Sequence, residues 1–473
     1  MWYTLIAVVA IVIVAYLIIK RVHAATSLFV VGIVLLGISA LLGQSGNSSV
    51  EIKPTGHAWY DQLIIVEHIF GERFAGMGMA IMVLFGFVAY MRHIGADAKA
   101  VVVLSAPLKG LHGSYWMVPV GFVIGTLLSL VIPSASALSL LLIATLLPAL
   151  VAAGLTPLTV GAVVVTSSTI VPTPLEAGLI RGAELVDMPI SEYVYGHVAW
   201  ATVPTLIITA FVHMWWQRRC DKKDALKGAK VGAGRGVVPA QSDNDQAVTD
   251  ALKRAQGLPF GYAFLPLLPL IIILVTGILQ RVGVIDFEAD ILPATVISLM
   301  VTLAIEMIRH RSILKPLDSM KDFFKGMGEG AGGVVALLVA AGILVEGITQ
   351  MGVIRTLINA TEGWQGAAAA IILLMGLATA VLALITGSGV APYFAFAELA
   401  PGLAEAGVLP IRMLNVVWGT SNLMRQVSPV CAAVLIVAGA IKVTPFDLVK
   451  RTAVPMIAAT VLNAVFSFVL INA

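Results

Sequence analysis

Residues 132–168 read IPSASALSLLLIATLLPALVAAGLTPLTVGAVVVTSS, and residues 385–421 read ITGSGVAPYFAFAELAPGLAEAGVLPIRMLNVVWGTS. Laid over one another without a gap, they bring Pro148 onto Pro401, Gly154 onto Gly407, Pro157 onto Pro410 and Ser168 onto Ser421. Agreement of Ala, Leu and Val means little in an apolar chain. Pro and Gly punctuate the backbone, so their agreement means that helices break at corresponding places. The stretches read as two copies of one unit: an apolar block interrupted by a small polar tip, then a helix that runs into a Ser/Thr cluster.

The surrounding chain sets the solvent in which these breaks lie. Of 473 residues, 59% are hydrophobic and only 12% charged, where a soluble globular protein carries about 25% charged residues. Apolar runs of the ~20 residues needed to cross a ~30 Å hydrocarbon core recur throughout. The fold expected is an all-α membrane protein with about 11 transmembrane elements plus two re-entrant hairpins. The net charge of +3 is small, and its Lys and Arg gather in particular loops, as the positive-inside rule requires. Nucleic acid is not implied. Cys220 lies in a basic loop and Cys431 in an apolar run, so neither a disulfide framework nor a metal site is supported. In the first apolar run, Trp2 to Ile19, the charges Lys20 and Arg21 follow rather than precede, which suits a spanning helix and not a cleaved signal peptide.

The organisation expected is as follows. Residues 1–74 hold N-terminal scaffold helices and, from Gln44 to Arg73, an external loop marked by acidic excess. Residues 75–216 hold the first repeat, with a hairpin tip near 133–137 and a broken helix near 166–175, where Pro172 and Pro174 forbid an unbroken helix. Residues 217–258, in which Lys and Arg outnumber Asp and apolar periodicity is missing, read as a flexible cytoplasmic linker. Residues 259–473 hold the second repeat, with a tip near 386–390, a broken helix near 419–428, and a basic segment around Lys315 to Lys325 suited to an interfacial helix. Five crossings separate the two tips, and an odd number inverts the second copy. That is the inverted-topology arrangement of secondary carriers, whose site lies near the midplane where discontinuous helices meet.

The chemistry expected at the breaks is capture of a small anion. Half-helix N-termini offer N–H groups and a positive dipole end, and hydroxyls can complete the coordination. The candidates are Ser134, Ser136, Ser167, Ser168, Thr169, Thr386, Gly387, Ser388, Thr420, Ser421 and Asn422. The same hydroxyls can instead bond back to the helix they interrupt, or simply allow close helix packing. Arg425 is the sharpest case, because an arginine between apolar helices is costly unless paired or hydrated. It is expected either to clasp a substrate carboxylate in a bidentate fork or to pair with Glu398 or Glu346. Glu176 is the candidate for proton coupling; Glu398 is expected at the interface. No metal site or cofactor is expected, and the coupling ion, proton or sodium, stays open. A proton-translocating membrane subunit would carry internal Lys and Glu at several helix centres, a pattern this chain lacks. A channel is a further alternative, separable by counterflow.

At four stretches the chain resembles the anaerobic C4-dicarboxylate carrier (DcuC) family of the ion transporter superfamily. They are Gly86-Phe-Val-Ala-Tyr-Met-Arg-His-Ile-Gly-Ala, Thr386-Gly-Ser-Gly-Val-Ala-Pro, Ser421-Asn-Leu-Met-Arg-Gln-Val-Ser-Pro and Pro445-Phe-Asp-Leu-Val-Lys-Arg-Thr-Ala-Val-Pro. The first-half break, Ser167-Ser-Thr-Ile-Val-Pro-Thr-Pro, departs from the pattern associated with that family. The resemblance implies a secondary carrier for succinate, fumarate or malate, or for another small carboxylate, in the bacterial inner membrane. It also implies a homodimer of scaffold domains and an elevator-like movement of the transport domain that holds the hairpins.

Overall fold

Hydrocarbon cannot satisfy a backbone N–H or C=O, so a chain this apolar must close its hydrogen bonds within helices. The computed structural model describes residues 2–106, 115–226, 243–361, 364 and 366–472. Among these residues there is no strand, and eleven helical runs are long and apolar enough to cross a membrane.

The chain begins with α1 (Trp2–Ile19) and α2 (Ala24–Leu41). The expected external loop is helical over its second half: α3 (Ala58–Arg73) runs through a five-residue π-helical stretch, Phe74–Gly78, into α4 (Met79–Ile94). Its acidic residues suggested a loop, but Ile65 and Ile69 lie one turn apart on one face and bury against Leu36, Val339 and Ile343. Amphipathic burial outweighs surface polarity there. After α5 (Ala96–Ser105) come α6 (Met117–Ser129), α7 (Ala135–Ala152), α8 (Pro157–Thr166), α9 (Ala177–Leu185) and the long α10 (Ala199–Leu226).

The expected linker is therefore shorter than its composition suggests. Residues 217–226 continue α10, and α11 (Asp243–Gln256) is a helix packed on α5 and α7. What holds the end of α10 is Asp221, buried and paired with Arg451 at 2.7 Å. Residues 227–242 of that linker lie outside the described residues.

The second half holds α12 (Leu268–Arg281), α13 (Ile291–His310), α14 (Leu314–Asp318) and α15 (Met320–Gly330), the last joined by the π-helical Ala331–Val335 to α16 (Ala336–Gln350). The segment expected to lie in the interface instead packs α15 on α4. Phe323 buries among Phe87, Tyr90 and Met91 while Phe324 faces outward. The remaining helices are α17 (Val353–Thr361), α18 (Ala367–Thr386), α19 (Ala391–Ala397), α20 (Ala400–Leu403), α21 (Pro410–Met424), α22 (Ala432–Ala440) and α23 (Pro445–Leu470).

The stretches aligned in sequence have matching backbone. Gly154 and Gly407 both take the left-handed conformation, with φ of +103° and +76°, which a side chain disfavours. Pro157 and Pro410 then open α8 and α21 in the first turn, where a missing N–H costs nothing. The elements interleave in space. One apolar cluster joins Leu142, Leu146 and Val163 of α7 and α8 to Val434 and Val437 of α22. Another joins Leu179 and Ile180 of α9 to Tyr393, Phe394 and Trp418 of α19 and α21. Each half-helix beyond a break thus packs on the other stretch, which brings the breaks together.

Candidate functional site

Each interruption has a local cause in sequence. Between α6 and α7, Pro133 has no N–H to donate and disfavours helix in the residue before it, and Ser134 caps α7 by accepting from the Ala137 N–H at 3.4 Å. Between α8 and α9 the Ser/Thr run meets Pro172 and Pro174, and Glu176 restarts the helix by accepting from the Leu179 N–H at 2.9 Å. Between α18 and α19, Gly387 has φ +66° and a Cβ there would lie 2.7 Å from the Cys431 backbone, so only glycine fits. Ser388 Oγ then accepts from the Val390 and Ala391 N–H groups, each at 3.3 Å.

The fourth interruption falls later than the sequence suggests. α21 runs unbroken through Thr420, Ser421 and Asn422 to Met424, and the break comprises a 3-10 turn, Arg425–Val427, and an extended Ser428. A Ser/Thr/Asn cluster can be carried inside a helix when its side chains find partners. Ser421 Oγ donates to Gly389 O at 2.6 Å, and Asn422 Nδ2 to Trp418 O at 3.2 Å.

All four interruptions contribute to one cavity of about 90 Å³. Ser129, Leu130 and Pro133 come from the first tip, and Val390 from the second. Ser168, Thr169, Val171, Thr173, Leu175 and Glu176 come from the first broken helix, and Asn422 and Arg425 from the second. The volume is well below the ~300–1,000 Å³ of drug-sized pockets and suits a small solute.

Of the residues expected to bind substrate, Ser168, Thr169, Asn422 and Arg425 line this cavity, as does Glu176. Others serve the helices. Ser167 Oγ donates to Val163 O and Thr386 Oγ1 to Leu382 O. Ser134 and Ser388 are caps, Gly387 supplies a turn, and Ser421 ties α21 to the second tip. Ser136 lies in the first turn of α7, and Thr420 is buried on α21 on the side of Gly376. The sequence reading did not single out Ser129, Thr173 or the apolar lining. Thr173 stands between two prolines, and that signal was sufficient to keep its side chain off a helix.

The electrostatics turn on two groups, Arg425 and Glu176, the ionisable residues of the lining. Arg425 donates from Nη2 to the carbonyl and hydroxyl oxygens of Ser168, both at 3.1 Å. Among the described residues its buried Nε has no acceptor, and buried Thr169 Oγ1 has no hydrogen-bond partner. The two carboxylates considered as alternative partners are engaged elsewhere. Glu398 is buried, held by Arg181 through two bonds of 2.6 Å and by Arg73 at 3.1 Å. Its sequence neighbourhood hid this, because Arg181 and Arg73 are remote in the chain. Glu346 accepts from Ser48 at 2.7 Å, from Ser49 and from Gln350 at 2.8 Å. Glu176 meets the Trp418 indole N–H at 2.8 Å as well as the Leu179 amide. Among the described residues no three His, Cys, Asp or Glu side chains converge as metal ligands would. The cavity can therefore do one thing well: offer unspent guanidinium and hydroxyl donors to a small anion beside a fixed carboxylate.

Three comparisons bear on this arrangement. The profile of the C4-dicarboxylate anaerobic carrier family matches residues 3–472. The Escherichia coli protein named anaerobic C4-dicarboxylate transporter DcuC is 32% identical over 459 residues, covering 97% of this chain and 94% of the relative. A Vibrio cholerae protein named probable anaerobic C4-dicarboxylate transporter DcuC is 32% identical over 461 residues, covering 97% and 95%. Among solved structures, Neisseria gonorrhoeae MtrF, described with a class of antimetabolite efflux pumps, superposes with a TM-score of 0.51 over 96% of this chain and 97% of that one. At 14% identity that likeness speaks for the fold alone.

Proposed function

The chain belongs to the C4-dicarboxylate anaerobic carrier family, and on that premise we propose that it is a secondary active transporter moving C4-dicarboxylates such as succinate, fumarate or malate by alternating access. It is a multi-pass protein of the inner membrane, and its family and relatives are transporters, not enzymes. The observation that carries the reading is Arg425, which lines a cavity formed by all four interruptions and whose Nε has no acceptor among the described residues. An arginine kept without a carboxylate in a membrane protein costs several kcal/mol; a substrate carboxylate offsets that cost when it binds. The hydroxyls of Ser168 and Thr169 and the Asn422 amide complete the coordination.

In this reading the two aligned stretches are inverted repeats, each with a re-entrant hairpin, and the hairpins move with the broken helices past a dimeric scaffold. Glu176 is the coupling group. A dianion entering beside Arg425 also approaches the Glu176 carboxylate, and like charges disfavour each other at short range. Taking up one proton on Glu176 removes that repulsion, so substrate and proton travel together.

Counterflow tests the carrier reading. Proteoliposomes preloaded with unlabelled succinate are expected to take up labelled succinate faster than empty ones; equal rates would indicate a channel and defeat it. With proton and sodium gradients imposed separately, an inward proton gradient is expected to drive net uptake. Glu176→Gln is expected to keep counterflow and to lose the proton-driven component, with a flattened pH profile. A variant whose pH profile matches that of the parent protein would remove Glu176 from the coupling step.

A further inference from the structure

Where α13 ends, a second cavity of about 470 Å³, which shares no lining residue with the one at the breaks, opens between elements that are remote in sequence. Its charged lining is His93 at the end of α4, Arg254 of α11, Glu306, Arg309 and His310 of α13, and Lys315 of α14. Glu306 is buried and already committed. It accepts from the Tyr262 hydroxyl, from Arg309 Nη2 at 3.0 Å, and lies 3.2 Å from His310 Nε2. His93 faces Asp322 at 2.8 Å. Two further cations come from other elements. Arg254 donates to the Asp250 backbone carbonyl, at 3.3 Å, and its charge also acts on the buried Asp97 carboxylate, while Lys315 is exposed. Neither forms an ion pair within 4 Å among the described residues, and the lining itself sets Arg254, Arg309 and Lys315 against the single carboxylate of Glu306.

Its rim is apolar. Ile308, Ile313, Leu314 and Leu317 flank the basic residues in sequence and are 78%, 64%, 78% and 48% exposed. One exposed leucine needs no explanation, but four within ten residues, at the end of a membrane span and beside a cationic recess, form a surface for hydrocarbon. The basic end of α10 differs, since Trp215, Arg218, Arg219, Lys222 and Lys223 all come from one helix and, among the described residues, no second element lines that surface.

The geometry points to a binding site for an anionic phospholipid, with its phosphodiester between Lys315 and Arg254 and its acyl chains along Ile308, Ile313 and Leu314. A phosphate needs two or more donors, which Arg254 of α11 and Lys315 of α14 supply from separate elements. A soluble anion would gain nothing from the apolar rim. Basic recesses between membrane helices are physically suited to such headgroups. Bound there, the lipid fastens α4, α11, α13 and α14 together at the end of the bundle, independently of what the transport cavity carries.

The test uses the full chain purified in a neutral detergent, with the thermal unfolding midpoint as readout. Dioctanoyl phosphatidylglycerol is expected to raise the midpoint by several degrees. Dioctanoyl phosphatidylcholine, with the same chains and no net charge, is expected not to raise it, and neither is glycerol 3-phosphate. The Lys315→Gln, Arg254→Gln double variant is expected to lose the rise, while Lys222→Gln, Lys223→Gln on the open face of α10 keeps it. Should the double variant fail to fold, Lys315→Gln alone, at an exposed side chain, is expected to weaken the response. An equal rise with glycerol 3-phosphate would overturn the lipid assignment, and an undiminished rise in the Lys315 variants would overturn the site.

Discussion

Arg425→Lys is expected to reduce succinate uptake into proteoliposomes about 10- to 100-fold while leaving the unfolding midpoint nearly unchanged. Lysine keeps the charge but presents a single ammonium in place of a planar fork, so one of two parallel charge-assisted bonds to a carboxylate is lost. A hydrogen bond to a charged group contributes about 1.5–3 kcal/mol, and 1.4 kcal/mol corresponds to about a factor of ten in affinity. The fold should tolerate the change because Arg425 makes few structural contacts of its own. Among the described residues its side-chain hydrogen bonds both go to Ser168, and the Ser168 carbonyl also accepts from Gln426 Nε2. Arg425→Ala removes charge and fork together and is expected to abolish uptake. A fall in midpoint that parallels the fall in uptake would mean that the guanidinium props the break open, and succinate affinity unaltered by lysine would end the clasp argument.

How much of this was readable beforehand depends on the range of the interaction. Ser134 and Ser388 mark helix interruptions because Pro133 and Gly387 impose them within a residue or two, and such local backbone effects are written in the sequence. The membrane class follows as directly from the apolar runs. Ser421 shows where local reading ends. The Thr420-Ser421-Asn422 cluster resembles a break, yet its hydroxyl reaches Gly389, on the second tip, and the helix continues. α3 was hidden for the opposite reason, since Asp61, Glu67 and Glu72 gave a loop-like composition while Ile65 and Ile69 supplied the buried face. Arg425 stood out in sequence as an arginine without a local partner. That its candidate partner carboxylates, Glu398 and Glu346, are taken by Arg181 and by Ser48 and Ser49 is a matter of contacts between distant segments, which no spacing rule reports.

Two arginines beside the breaks, Arg181 buried and Arg425 half-buried, illustrate opposite solutions to one problem. Arg181 is surrounded by carboxylates: Glu398 at two points and Glu184 at 2.6 Å. Arg425 has carbonyl and hydroxyl oxygens and an open cavity. A fully satisfied guanidinium holds structure in place, because any movement breaks several strong bonds at once. One left partly unsatisfied is poised for a ligand, because binding supplies what the protein withholds. The cost of the second arrangement is tolerable only if the first makes the surrounding helices rigid.

That dependence makes Glu398→Gln the substitution expected to cost the most stability, about 3–5 kcal/mol, which is the range for breaking a buried ion pair on one side. The Arg181 and Glu398 side chains are each only 2% exposed, so water cannot replace the lost charge. Glutamine also leaves Arg73 without its 3.1 Å contact, and it fits an amide N–H against a guanidinium that has only donors to offer. Arg181→Met is expected to destabilise to a similar extent by stranding Glu398 with Arg73 alone. Combining Arg181→Met with Glu398→Leu removes both charges, and the double variant is expected to lose clearly less than the sum of its single changes. Denaturant unfolding of purified Arg181→Met, Glu398→Leu and the double variant provides the cycle. Additive losses, or single changes costing under about 1 kcal/mol, would mean that the pair is screened by solvent and that apolar packing between α9, α19 and α21 holds the breaks together without it.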